Sequence, residues 1–198
     1  MDTLNKATEN FLILKKSEYK IVISAGKNKP LETINLNFID EDLHHILGLS
    51  HLDDINIPKN RKEIINKIIS GELNDNYLSQ SEYYDNESIG YSIKERIKCA
   101  QYLEEYLDSD EFTVSVYKLQ HENKTLIMAD YLLTCKRIFS NEEYYIFIRS
   151  RKEDMYYGIV SCFPKRNITY WGGKRYLMLK EKITDGIGKE LFRHPNYK

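Results

Sequence analysis

The hydrophobic pattern of the 198-residue chain changes period once, near residue 111, and this limits the folds open to it. Before that point apolar residues recur at helical spacing. Leu4, Phe11, Leu12 and Leu14 mark a helix over 3–15. Acidic Asp40-Glu41-Asp42 opens a second one, Leu43, Ile46 and Leu47 form its apolar face, and Gly48 stops it. Ile64, Ile65, Ile68 and Ile69 imply a third over 61–70, and a short helix is expected over 77–84. Ile93, Ile97, Ala100, Leu103 and Leu107 imply one longer helix over 92–107. The exception in this half is a hairpin, Tyr19–Ser24 and Leu31–Phe38, joined by an Ala-Gly-Lys-Asn-Lys-Pro turn.

After residue 111 the period is two. Strands are expected over 112–119, 125–134, 143–149 and 155–164, with a fifth near 176–180. Polar turns at 120–123, 139–142 and 150–154 are of hairpin length, so neighbouring strands should be antiparallel. The expectation is one α+β domain over 1–198. Its N-terminal helices and short hairpin would pack on a C-terminal antiparallel sheet of four to five strands.

Charge divides at the same place. Residues 1–111 carry 13 Lys and Arg against 21 Asp and Glu, a balance of −8. Residues 112–198 carry 16 against 9, or +7. A basic half inside a near-neutral chain suits a face that meets a polyanion, although mutual attraction of the halves explains the split equally well. No stretch approaches the ~18 apolar residues of a membrane span. The N-terminus lacks the basic start and apolar run of a signal peptide, so a cytoplasmic chain with no membrane contact is expected. Cys99, Cys135 and Cys162 are far apart and odd in number, which fits buried free thiols in a reducing compartment.

No P-loop, GxGxxG, GxSxG or HExxH pattern is present, and no metal site or cofactor is expected. Chemistry therefore rests on scattered residues. His44, His45 and His51 fall within eight positions, and imidazole exchanges protons near neutral pH. Neighbours on a helix point about 100° apart, so His44 and His45 should not easily serve one site, and the i, i+4 spacing of a two-histidine metal site is missing. Boundary histidines without a chemical role are the plainer reading. In the basic half, alternation puts Tyr145, Phe147, Arg149 and Arg151 on one face of their strand. It puts Tyr157, Ile159, Ser161 and Phe163 together on the next strand. Lys165, Tyr170 and Lys174 follow. Cations neutralise phosphates and aromatic rings stack on unpaired bases, but tyrosine is also an ordinary strand former.

The run Asn37-Phe38-Ile39-Asp40-Glu41-Asp42-Leu43-His44-His45-Ile46-Leu47-Gly48-Leu49 resembles the opening of a phage- and mobile-element-associated nuclease family of the barnase–EndoU–colicin–RelE-like (BECR) group. Phe38, His45, Leu47, Gly48 and Leu49 carry the likeness, and Ser161-Cys162-Phe163-Pro164 resembles a strand end of the same group. Together these segments cover roughly residues 35–70 and 143–182. The resemblance implies helices on a four- or five-stranded antiparallel sheet, and metal-independent RNA cleavage leaving a 2′,3′-cyclic phosphate. It puts His45, as general acid or base, in the place of the family histidine and Ser161, positioning the phosphate, in that of a sheet hydroxyl. Arg149 joins them as electrostatic stabiliser because it shares the sheet. His51 stands one place beyond the position where many members have a second histidine, and Ser50 occupies that position. Lys165 and Lys174 would hold flanking phosphates, and Tyr170 would offer a stacking ring. RNA is then the expected partner, with an inhibitor or host protein restraining a toxin or phage effector. A non-catalytic inhibitor that binds nucleic acid or protein on the same scaffold is the alternative.

Overall fold

A computed structural model describes residues 2–86, 92–118, 127–136, 142–151, 155–166, 169–170 and 172–198. The expected turns at 120–123 and 139–141, the middle of 150–154, and the outer ends of the strands expected at 112–119 and 125–134 lie outside the described residues.

The N-terminal half follows the sequence closely. Helix α1 (Thr3–Leu14) leads into β1 (Ser17–Ser24) and β2 (Leu31–Leu36). Helix α2 (Asp40–Leu47) begins with its three acidic residues and ends at Gly48, and a 3-10 turn (Leu49–His51) follows. Helix α3 spans Arg61–Ile69, with the Asn60 side chain accepting from the Lys62 N–H at its start. Two expected helices differ. The one expected over 77–84 is a single turn, α4 (Asp75–Leu78), because the Asp54 carboxylate then captures the Ser81 hydroxyl (2.5 Å) and the Glu82 N–H (2.8 Å) and turns the chain. The long helix over 92–107 is two, α5 (Ile93–Ala100) and α6 (Leu103–Asp108). At the break the Gln101 carbonyl accepts from Asn10 Nδ2 at 2.7 Å instead of continuing a helical ladder.

The sheet departs from expectation in kind. It holds eight strands: β1, β2, β3 (Phe112–Tyr117), β4 (Tyr131–Lys136), β5 (Glu143–Ser150), β6 (Tyr157–Pro164), β7 (Gly172–Thr184) and β8 (Ile187–Arg193). Their order is β1-β2-β6-β5-β4-β3-β7-β8, and β1 also pairs with β7. Seven strands therefore close into a mixed barrel, with β8 added to β7. An open antiparallel sheet of four to five strands under helices and a separate hairpin is ruled out. The cause is the 13-residue length of β7. Its first residues pair with β3, and Tyr176–Thr184 pair with β1, so the N-terminal hairpin is drawn into the sheet. The ring is completed by a parallel bridge, Leu36 to Tyr157, with the Asn37 N–H donating to the Tyr157 carbonyl. Closure removes the edges of the seven ring strands that an open sheet would present, and β8 remains as an edge strand. The Asp185-Gly186 turn, with φ of 51° and 77°, folds β8 back on β7.

The barrel wall separates two apolar clusters. Tyr144, Ile146 and Ile148 of β5 join the core shared with α1, α2, α3, α5 and α6. Tyr145 and Phe147 face the other way and pack with Tyr117, Leu132, Phe163 and Tyr170. Rings meet edge-on there, as in Phe147–Tyr170 at 5.1 Å. The face expected to display aromatic rings is thus largely a second core. A register shift between β5 and β6 leaves Val160 as an extra residue. Strict alternation fails across this bulge: Ile159 and Cys162 face the helices, while Val160 and Phe163 face the aromatic cluster.

Candidate active site

Helix α2 is held by its first turn. Asp42, buried at its start, accepts from the Ile39 N–H (3.0 Å) and pairs with the guanidinium of Arg151, which also binds Asn37. Burial pushes the Asp42 carboxyl up to about 6 despite these partners. Leu43, Ile46 and Leu47 anchor the apolar face, which leaves His44 and His45 at the boundary between core and solvent. The two rings meet edge-on with centroids 5.5 Å apart, His44 buried and His45 half-buried. His51, at the end of the 3-10 turn, is exposed.

Arg96 of α5 ties this helix to the barrel. It is 3% exposed, and its Nη2 donates to the His45 carbonyl (2.6 Å) and to Ser161 Oγ (3.0 Å). Its guanidinium lies against Gly48: a Cβ there would stand 2.7 Å from Nε and 2.9 Å from Cδ and Cζ. Gly48 therefore has two reasons to be glycine, its φ of 72° and this contact. Nothing in the sequence singled out Arg96, yet a signal was there. It shares the buried stripe of α5 with Ile93, Ile97 and Ala100, where an unpartnered charge would be strongly destabilising.

Burial first, and neighbouring arginines after it, lower all three histidines. Burial first, then Arg61, His51 and Arg96, lower His44 to about 4. Burial, Arg61, His44, Arg149 and Arg96 lower His45 to about 4. His51 is lowered by burial and Arg96, with Asp53 opposing. His44 and His45 are therefore neutral at pH 7, with an imidazole nitrogen free of added charge beside fixed cations. A phosphate entering here would gain from the guanidinium groups and would raise the histidine pKa values toward neutrality. The same cations disfavour a metal ion, and among the described residues no three His, Cys, Asp or Glu side chains could hold one.

The other expected site residues are dispersed. Ser161 is 2% exposed and its hydroxyl is engaged by Arg96. Arg149 is exposed on β5, within electrostatic reach of His45. Lys165 pairs with Glu143 and lies 5.9 Å over the Tyr145 ring. Tyr170 is buried in the aromatic cluster, so it offers no open stacking face. Lys174 is exposed on β7. Its register runs through Ser115, Leu132 and Phe147 to Ser161, four strand spacings away. At ~4.8 Å per spacing that is about 19 Å along the wall. Thus the structure gathers His44, His45, Arg96 and Ser161, with Arg61, Arg149 and His51 felt electrostatically, and leaves Lys165, Tyr170 and Lys174 outside. All three cysteines are free and buried, and Cys99 and Cys162 bring their sulfurs within 2.9 Å of each other between α5 and β6.

No curated protein and no solved structure matches the chain. A family model does, across far more of it than the two segments that carried the resemblance in sequence. The chain belongs to the phage-Barnase-EndoU-ColicinE5/D-RelE like nuclease4 family, whose model matches residues 3–194.

Proposed function

We propose that this nuclease acts on RNA, without a metal ion, by attack of a ribose 2′-hydroxyl on the adjacent phosphorus. The observation that carries this reading is a neutral histidine pair on α2, flanked by arginines and tied through Arg96 to Ser161 on the barrel wall. His45, half-buried and neutral at pH 7, is the general base that takes the 2′-hydroxyl proton. The 2′-oxygen then bonds to phosphorus, the bond to the 5′-oxygen breaks as that oxygen takes a proton from water, and a 2′,3′-cyclic phosphate and a 5′-hydroxyl are left. Arg149, with Arg61 beside it in the field at His45, balances the negative charge that grows on the phosphoryl oxygens. Ser161 is a positioning residue: it holds Arg96, which in turn holds the His45 backbone. His51, at the exposed side, contacts the neighbouring phosphate. DNA, lacking the 2′-hydroxyl, offers no nucleophile for this step.

Such an activity suits a toxin or phage effector working in cytoplasm, and it calls for restraint by an inhibitor or a host protein. The test is purified chain with excess EDTA on matched RNA and DNA oligonucleotides. Cleavage of RNA alone, with cyclic phosphate ends, supports the reading. Cleavage of DNA, or dependence on added metal, defeats it. Salt-sensitive RNA binding with no cleavage would instead mark a non-catalytic binder, since counterion release makes phosphate contacts salt-dependent.

A further inference from the structure

The far end of the β1–β2 hairpin carries a concave surface that includes none of the residues around His45. A cleft of about 620 Å³ lies between the turn at residues 26–29, the middle of β7 and the segment after β8. Lys27, Lys29 and His194 line it, and none of its lining residues is a carboxylate. The turn is internally braced: Ser24 Oγ donates to the Gly26 carbonyl (2.9 Å), and the Lys29 N–H donates to the same oxygen (3.1 Å). His194 Nδ1 accepts from the Asn196 N–H at 3.1 Å, which leaves Nε2 as the donor of a neutral ring. Tyr176 also lines the cleft and is 62% exposed, unlike the buried tyrosines of the aromatic cluster. Lys174 precedes it by two residues and so shares its face of β7.

The cleft is remote from the histidines. Leu31, at its rim, lies five residues before Leu36, which bridges Tyr157 in parallel, and Ser161 lies four residues after Tyr157. Nine strand residues at ~3.3 Å make about 30 Å.

We propose that this cleft is a second binding site for single-stranded polynucleotide, holding the substrate away from the scissile phosphate. Lys27, Lys29 and His194 Nε2 meet phosphates, and a base stacks on Tyr176. The proposal builds on the nuclease reading of the His45 site, but its test does not depend on cleavage. A free nucleotide shares the phosphate and ring chemistry, so the two sources are separated by experiment.

The probe is a fluorescent 2′-O-methyl RNA of about 12 nucleotides, within the span such sites cover, which binds without being cut. Anisotropy titrations at several salt concentrations compare the full chain with Lys27→Ala/Lys29→Ala and Tyr176→Ala. The double variant should bind more weakly, with a log–log salt slope shallower by about 1.4, or ~0.7 per lost phosphate contact. Tyr176→Ala should weaken binding about tenfold, and Tyr176→Trp should restore it. Cleavage of a dinucleotide, too short to reach the cleft, should be unchanged in every variant. Wild-type affinity and slope in both variants would overturn the proposal. So would displacement of the long probe by a mononucleotide at the concentration at which the unlabelled 12-mer displaces it, which would mark a site for a free nucleotide. Loss of binding in these variants, in a chain that cuts no RNA, would uphold the cleft and defeat the His45 reading instead.

Discussion

Replacing Gly48 by alanine separates two effects that the structure superimposes at one position. Its φ of 72° is the left-handed region, where a Cβ costs about 1–2 kcal/mol. The added methyl would also stand 2.7 Å from Arg96 Nε, so the guanidinium must move. Arg96 Nη2 holds the His45 carbonyl at 2.6 Å and Ser161 Oγ at 3.0 Å. Hydrogen bonds from a charged donor contribute about 1.5–3 kcal/mol each. If one is lost, Gly48→Ala should destabilise by about 2.5–5 kcal/mol in all. Gly71→Ala supplies the control, since Gly71 has φ of 80° and nothing within 4 Å of a Cβ, leaving only the backbone term of about 1–2 kcal/mol. Urea unfolding at pH 7 measures both. In an Arg96→Ala background the excess at Gly48 should disappear, because that substitution has already removed the contact. Equal destabilisation by Gly48→Ala and Gly71→Ala, or an excess that survives without Arg96, would refute the link between Gly48, Arg96 and His45.

Three further outcomes follow from the same contacts. His44 has a folded pKa of about 4 against 6.5 unfolded, so its contribution is fully present above pH 6.5 and is lost as pH falls toward 4. By pH 5 the loss is about 2 kcal/mol, partly offset by Asp42, whose carboxyl at about 6 shifts stability the opposite way; urea unfolding of His44→Leu at pH 7 and 5 should show a smaller acid loss than the wild type. Arg151→Ala leaves the buried Asp42 carboxylate and Asn37 without their partner and should destabilise by about 3 kcal/mol in urea unfolding. Burial raises the thiol pKa values of Cys99 and Cys135, and all three cysteines are buried, so iodoacetamide at pH 8 should label the folded chain only after unfolding.

Local features were readable from the chain, and long-range ones were not. Helix α2 is specified within nine residues, by Asp40-Glu41-Asp42 at its start and Gly48 at its end, and its expected bounds agree with the structure. The break between α5 and α6 depends on Asn10, 91 residues away, which no helical periodicity reveals. Barrel closure depends on β7 running on through Glu181, Lys182 and Ile183, where charges on the strand hide its period. Strand β8 is largely exposed and carries little apolar pattern, although the Asp185-Gly186 dipeptide was a hairpin signal left unused. In the site, His45 was legible as an imidazole at a helix boundary. Its surroundings were not, because Arg61 and Arg96 come from other helices and the Val160 bulge breaks the alternation from which the face of Ser161 was inferred. Tyr170 misled for a physical reason: a tyrosine after a strand reads as a stacking ring, yet here it completes a buried aromatic cluster.

The central claim is that a histidine kept neutral by burial and arginines is the base of the reaction. Its most direct measurement is the pH dependence of kcat/KM for RNA cleavage in EDTA, over the range in which thermal unfolding shows the chain folded. The profile reports the free enzyme, so its acid limb should fall near pH 4, the value for His45, and not near 6.5. Arg61→Ala, which removes the largest electrostatic contribution at His45, should move that limb upward, and His45→Ala should abolish the activity. An acid limb at 6.5 that ignores Arg61→Ala, or full cleavage by His45→Ala, would contradict the claim.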